Sequence, residues 1–284
     1  VEIGIYTRTF NRPTLGGVLD AVAGHGIRAV QLNLQNAGIP TLPLDLPEAT
    51  IRAIRQDLDA RGIRVASLAG TWNMIDPNLE KRREGMAGLR VLAAASGGLG
   101  ASVITLCTGT RDPESMWRAH PDNNTEEAWR EMVAAIAEAA QVAEENGVTL
   151  AFEPEVSNVV DSARKARRLL DEVRSPRLKV CMDGANVFHL GELPRMAEIL
   201  DEAFDLLGPD IALAHAKDLD HDGAAGHLAA GHGVLDYDRY LGLLHRSGYT
   251  GAVVLHGLSE DQIDGCVHFL QVRIGRVQES RTEK

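Results

Sequence analysis

The chain has 284 residues, of which 44% are hydrophobic and only 4% aromatic. That is enough apolar material for one substantial core, and its aliphatic, Ala- and Gly-rich character suits buried parallel strands flanked by helices. A formal net charge of −11 and the lack of any long Lys/Arg run exclude a phosphate-backbone surface, so nucleic acid is not an expected partner.

The densest basic cluster, Arg164–Lys165 with Arg167–Arg168, has the spacing of a solvated helix face. Cys107, Cys181 and Cys266 are odd in number, far apart and without a Cys-x-x-Cys pair, which points away from a disulfide framework or a thiolate zinc site. The opening VEIGIYTRTF lacks a basic stretch leading into an apolar one, and no segment is apolar enough to cross a bilayer. The expected setting is therefore soluble and cytoplasmic, with no membrane partner.

Short β-branched runs alternate with longer amphipathic stretches from end to end. In chain order the pattern predicts strand Glu2–Thr7, helix Leu15–Gly24, strand Ala29–Leu34, helix Glu48–Gly62, strand Arg64–Leu68 and helix Lys81–Gly97. It continues with strand Ser102–Cys107, helix Glu126–Asn146, strand Thr149–Glu153, helix Ser162–Val173, strand Lys179–Asp183 and helix Pro194–Leu207. Strand Ile211–His215, helix Tyr237–Gly248, strand Ala252–His256 and a last helix near Asp261–Val277 complete it. The helices carry apolar residues at three- and four-residue spacing, as in Met132, Ile136, Ala139, Ala140 and Ala143. Several end in Gly or Asn directly before a strand, as at Gly62-Ile63 and Asn146-Gly147, the expected cap and αβ turn.

Eight strand–helix units, with no Gly-x-Gly-x-x-Gly after the first strand, favour a closed barrel over an open dinucleotide-binding sheet. No shift in composition divides the chain. Residues 1–284 read as a single (β/α)₈ TIM-barrel domain, with a polar tail over about 277–284.

Barrels of this kind place reactive groups at the C-terminal ends of their strands. The first four predicted ends give Arg8, Asn33, the Thr71-Trp72-Asn73 turn and the Cys107-Thr108-Gly109-Thr110 turn. The last four give Glu153-Pro154-Glu155, Asp183 through Asn186, His215-Ala216-Lys217-Asp218 and His256-Gly257. A carboxylate or imidazole ending a buried strand is costly unless partnered. Glu153, Asp183, His215 and His256 converging on one mouth are most readily satisfied by one divalent cation. Two carboxylates with two neutral imidazoles suit Mn²⁺, Zn²⁺, Co²⁺ or Fe²⁺ better than Mg²⁺.

With AFEPE, VCMDGAN, LAHAKD and AAGHGVLDY, the sequence resembles the xylose isomerase-like TIM-barrel superfamily of sugar phosphate isomerases and epimerases. The resemblance spans the whole chain. It implies a single metal ion held by a Glu, an Asp, a His and a second Glu from strands five to eight. The first three fall on Glu153, Asp183 and His215, and the Lys-Asp pair after the His is Lys217-Asp218. The fourth departs: VVLHG puts His256 where the family has Glu. This brings the site near neutrality with a divalent ion and leaves that ion a stronger Lewis acid. It also puts in question the family's scheme of two glutamates on opposite faces of an enediolate. Either His256 is a ligand, and one-base chemistry follows, or it is the second acid–base group.

Other residues have alternative readings. Glu155 shares strand parity with Glu153 and is either the free general base or a loop carboxylate. Lys217 either stabilises an enediolate or forms a strand-end ion pair with Asp218. The Gly/Ala-rich loop 219–234 is long enough to act as a lid, with His232 placed to face the mouth and His221 and His227 in solvent. Trp72, Trp117 and Phe152 are either an apolar wall for the carbon face of a sugar or core packing. Arg8, Asn33, Thr108, Arg111 and Asn186 complete the expected substrate contacts, Arg111 as a grip on a phosphate or carboxylate.

The expected function is a metal-dependent isomerase or epimerase of a small sugar, keto-sugar or cyclitol, acting by proton transfer through a metal-stabilised enediolate. A metal-assisted lyase or dehydratase is the alternative. A non-catalytic sugar-binding barrel and a DNA-repair endonuclease follow at a distance. Ala-rich helix faces permit a homodimer.

Overall fold

A computed structural model describes residues 1–279. The strands are β1 (Glu2–Tyr6), β2 (Ala29–Leu32), β3 (Arg64–Ala69), β4 (Val103–Cys107), β5 (Thr149–Glu153), β6 (Leu178–Asp183), β7 (Ile211–Asp218), a two-residue β8 (Leu228–Ala229) and β9 (Ala252–Leu255). All but β8 are parallel neighbours in the order β6-β5-β4-β3-β2-β1-β9-β7, and β6 also pairs with β7. The sheet is therefore closed: eight parallel strands make a (β/α)₈ barrel, as the alternation predicts. The small β8 pairs antiparallel with the end of β7, Lys217 opposite Ala229.

The helices that cover the barrel are α1 (Leu15–Gly24), α2 (Glu48–Asp59), α3 (Leu79–Leu99), α4 (Glu126–Asn146), α5 (Ala163–Val173), α6 (Met196–Leu207), α7 (Tyr237–Arg246) and α8 (Ile263–Glu279). Side chains of Thr14, Asn78, Thr125, Ser162 and Asp236 accept backbone N–H bonds at helix starts, the capping these residue types favour. Gly100 and Gly147 close α3 and α4 at φ 76° and 66°, where a side chain would be strained. The expected tail from 277 is corrected in part: α8 continues through Glu279, and residues 280–284 lie outside the described residues. No helix among the described residues is long and apolar enough to cross a membrane.

Two cores result. The large one lies between strands and helices, and Phe152 belongs to it. A small one of Ala29, Ala151, Cys181, Leu213, Ala252 and Val254 plugs the barrel interior. Side chains alternate along a strand, so the residue two positions beyond Ala29, Ala151, Cys181, Leu213 and Val254 faces the axis one layer nearer the mouth. Those residues are Gln31, Glu153, Asp183, His215 and His256. The plug is thus the floor of a polar layer.

Candidate metal centre at the barrel mouth

His215 on β7 is buried, and its Nε2 lies 2.8 Å from Gln31 Oε1. The Gln31 amide is oriented by its own donation to Thr105 Oγ1 at 3.1 Å, and Thr105 donates to the Leu68 carbonyl at 3.3 Å. An amide oxygen only accepts, so Nε2 carries a proton, and Nδ1 is the ring nitrogen directed into the mouth. That Nδ1 has no hydrogen-bond partner among the described residues. It stands 3.4 Å from Glu153 Oε1 and 3.7 Å from Asp183 Oδ2.

Asp183 is 1% exposed. Its Oδ1 accepts the Ala185 N–H at 3.0 Å, while Oδ2 makes no hydrogen bond among the described residues and faces Lys217 Nζ as an ion pair at 3.1 Å. Lys217 is buried too and stands 3.8 Å from Glu153 Oε1. Burial opposes charge on each of these groups, but mutual attraction wins. Lys217 is held above the usual lysine range by Asp183 and Glu153, and Asp183 is held below the carboxylate range by Lys217 and His215. Burial likewise disfavours charge on the His215 ring, yet Cys181, Glu153 and Asp183 outweigh it and raise its pKa well above the ordinary imidazole value. Glu153 accepts from Asn186 Nδ2 at 2.6 Å, and Asn186 Oδ1 in turn accepts the Gly226 N–H at 2.8 Å.

His256 follows β9. Its ring stacks on His215, with centroids 5.0 Å apart at 23°, and on Tyr6, 4.7 Å apart at 11°. Its Nδ1 is also buried without a partner among the described residues. Burial, with His215 and Lys217 adding to it, pushes the His256 pKa well below the ordinary value, so the ring is neutral.

Donor atoms of Glu153, Cys181 and His215 lie within 4.8 Å of one another. Cys181, however, sits 3.5 Å from His215 Nε2, the ring nitrogen away from the mouth, and burial raises its thiol. Cys181 belongs to the floor. The groups free to hold a cation are Glu153, Asp183 and His215, with His256 stacked beside them. The donor set fits a divalent ion, because three buried polar atoms of these residues lack a hydrogen bond, and such atoms are costly when left so.

Glu153, His215 and His256 line one cavity of about 370 Å³, together with Tyr6, Asn33, Thr105, Trp117 and Ala225 among others, a size suited to a small ligand; Asp183 is reached from it through His215 and Lys217. A family model for the xylose isomerase-like TIM barrel matches residues 19–265. The chain belongs to the xylose isomerase-like TIM-barrel family. No curated protein is significantly similar to it in sequence. Among solved structures it is similar to a D-tagatose 3-epimerase-like protein, with TM-score 0.78 and 14% identity over 99% of both chains. It is also similar to the 3-keto-D-glucoside 4-epimerase of E. coli, with TM-score 0.72 and 17% identity over 96% of this chain and 99% of that one. An IolI protein with a bound zinc atom gives TM-score 0.73 and 16% identity over 98% and 99%. At such identities the likeness establishes the fold.

The family's Glu, Asp and His positions are thus brought together in this barrel, and Asn33, Asn186, Glu155 and Lys217 reach the same cavity. Glu155 is occupied: its oxygens accept the Ser157 N–H at 2.9 Å and Asn158 Nδ2 at 2.8 Å. Burial raises its pKa. Lys217 pairs with Asp183 and not with Asp218, because neighbouring residues of an extended strand point to opposite sides. Asp218 instead accepts N–H bonds from Leu219, Leu235 and Gly231 at 2.9, 2.9 and 3.0 Å. A Cβ on Gly233 would fall 2.4 Å from Asp218 Oδ1 and 2.2 Å from the Leu219 carbonyl oxygen, which is why this rim is glycine-rich.

Several expected substrate contacts lie elsewhere. Trp72 packs in a separate groove between α3 and α4 with Met74 and Met86, so of the expected aromatic wall Trp117 lines the cavity. Arg111 donates to Glu131 at 2.9 Å. Thr108 lies buried beneath the mouth and accepts the Val160 N–H at 3.2 Å. Arg8 and His232 are exposed and outside the cavity lining. Sequence reasoning missed Tyr6, Gln31 and Thr105. Gln31 had a readable signal: it is the one polar residue in the buried strand AVQL, a position that demands a partner.

Proposed function

We propose that this protein is a divalent-metal-dependent enzyme that shifts a proton on a carbon next to a carbonyl in a small sugar, keto-sugar or cyclitol, giving isomerisation or epimerisation. The observation that carries this reading is the group of unbonded buried atoms at the mouth: Asp183 Oδ2, His215 Nδ1 and His256 Nδ1. Glu153, Asp183 and His215 would hold the ion, with His256 as the fourth donor. Two carboxylates and two imidazoles suit Mn²⁺, Zn²⁺, Co²⁺ or Fe²⁺. When bound, the ion supplies a Lewis acid for a substrate oxygen. The names of similar structures, one an epimerase, one epimerase-like and one holding zinc, support the same class.

The protein's own groups divide the remaining work. Glu153 Oε1 is fixed by Asn186, which orients the carboxylate to take the proton. Lys217 is held protonated opposite Asp183 and can offer a hydrogen bond and its charge to a substrate oxygen. Glu155, with both oxygens engaged, positions the β5–α5 loop. His256 is neutral and stacked, which favours one base acting on one face and therefore isomerisation over epimerisation. The same feature favours metal-assisted elimination of water as the second reading.

The test is solvent-deuterium exchange. Candidate keto-sugars and cyclitols, incubated with metal-loaded protein in D₂O, are expected to gain deuterium at one carbon with a single stereochemistry. Glu153→Gln should lower that rate by on the order of 10²–10⁴-fold. Exchange scrambled over both faces, or a rate unaffected by Glu153→Gln, would contradict one-base chemistry at Glu153.

A further inference from the structure

The connection from β7 to α7 carries a second set of metal-capable side chains that the mouth chemistry does not use. We propose that Asp220, His221 and His227 form a surface site for a divalent transition metal ion of the Zn²⁺ or Ni²⁺ kind. Ligand atoms of all three lie within 4.8 Å of one another. Asp220 Oδ1 is 2.5 Å from His221 Nδ1 and 3.1 Å from His227 Nε2. The two imidazoles are 4.6 Å apart and tilted by 43°, so they are not stacked face to face and a nitrogen of each meets the same carboxylate oxygen. Donor atoms about 3 Å apart are what one ion with bonds of about 2.0–2.1 Å to nitrogen and oxygen requires. Imidazole with carboxylate selects borderline metals over Mg²⁺ or Ca²⁺.

The backbone is shaped for this without the ion. Asp222 Oδ2 accepts the Leu193 N–H at 2.8 Å, Gly223 N–H donates to the Phe188 carbonyl at 2.9 Å, and His227 N–H donates to the Asp218 carbonyl at 3.1 Å. Gly223 supplies the turn at φ 82°. The loop is therefore pinned at both ends and returns His227 to His221 across five intervening residues. The three side chains are 57%, 61% and 41% exposed, so an ion reaches them directly and water completes its coordination.

The site also touches function. Ala225, inside the chelate loop, lines the mouth cavity. The next residue, Gly226, donates to Asn186, which holds Glu153. An ion here would fix one wall of that cavity from outside. The competing arrangement is two imidazoles sharing Asp220 through protons alone.

Zn²⁺ titration by calorimetry, on wild type beside His221→Ala and His227→Ala, separates the two. Both substitutions fall on exposed residues. Wild type is expected to bind one more equivalent of Zn²⁺ than either variant, with affinity for that equivalent lowered more than about tenfold by each change, since losing a ligand exceeds losing an outer-shell partner. Hydrogen exchange over 219–229 should slow with Zn²⁺ in wild type and not in His227→Ala. Equal Zn²⁺ stoichiometry in wild type and both variants, with loop exchange indifferent to Zn²⁺, would overturn the proposal. The reading is a difference between proteins, so whether the buried centre binds alters only the total.

Discussion

The two halves of the barrel mouth are built differently. From β5 to β9 the axis-facing layer is Glu153, Asp183, His215, Lys217 and His256, a set of titratable groups with unbonded buried atoms. From β1 to β4 it is Tyr6, Gln31 and Thr105, with Asn33 at the rim, neutral groups bonded to one another: Asn33 Nδ2 donates to Tyr6 Oη at 2.8 Å, and Gln31 to Thr105 at 3.1 Å. One half leaves titratable atoms incomplete in a way a cation and a substrate would complete, while in the other Tyr6, Gln31, Thr105 and Asn33 are bonded among themselves and fix the geometry of the first. Their junction is the contact of Gln31 with His215. Chemistry and orientation are thus assigned to opposite arcs of one ring of strands.

The largest effect is expected from removing the lysine cation of the charged half. Lys217→Met leaves buried Asp183 with only His215 to compensate it, which should destabilise the metal-free protein by about 3 kcal/mol. Urea unfolding in EDTA would measure it, and a divalent ion added to the variant should recover much of the loss. A shift below about 1 kcal/mol, the worth of an exposed pair, would mean that the charged half is solvated in the metal-free protein.

A smaller effect is expected across the junction. Gln31→Met removes the acceptor that fixes the His215 tautomer and should weaken metal binding by about 10–100-fold. Chelator competition would read this, and unchanged affinity would deny the neutral half its orienting role.

The smallest effect concerns protonation. His256 is held below its ordinary pKa, so the unfolded chain takes up a proton there first, and stability is lost as pH falls below about 6.5. His215 is held above its ordinary value, so its contribution has the opposite sign: complete below about 6.5 and lost as pH rises through the folded pKa. Replacing His256 by Phe should remove only the first of these. The melting temperature of His256→Phe relative to wild type is therefore expected to be more favourable at pH 5.5 than at pH 7.5, as thermal unfolding at the two pH values would measure. A difference independent of pH would show that His256 titrates normally.

Much of this architecture is legible in the residues. Helices Leu15–Gly24 and Glu126–Asn146 and strand Thr149–Glu153 have the predicted bounds, because apolar periodicity and capping residues mark both ends. The strand-end rule locates Glu153, Asp183 and His215 without any contact information. What it cannot supply is where a loop residue folds back. Trp72 and Arg111 follow strands β3 and β4 closely, yet their backbones turn outward, where Trp72 meets Met86 of α3 and Arg111 meets Glu131 of α4. The alternative pairing of Lys217 with Asp218 fails for a different reason. Adjacency in sequence suggested Asp218, whereas β7 runs on to Asp218 and strand alternation sends the two side chains apart.

The central claim is a metal centre in the charged half, and metal content tests it most directly. We would measure it in the His227→Ala background, which silences the rim loop, beside the same protein carrying Glu153→Ala or His215→Ala. Near one equivalent of a transition metal, lost or much weakened by either second change, is the result expected. No metal under any loading condition, or one equivalent unaffected by both changes, would contradict it.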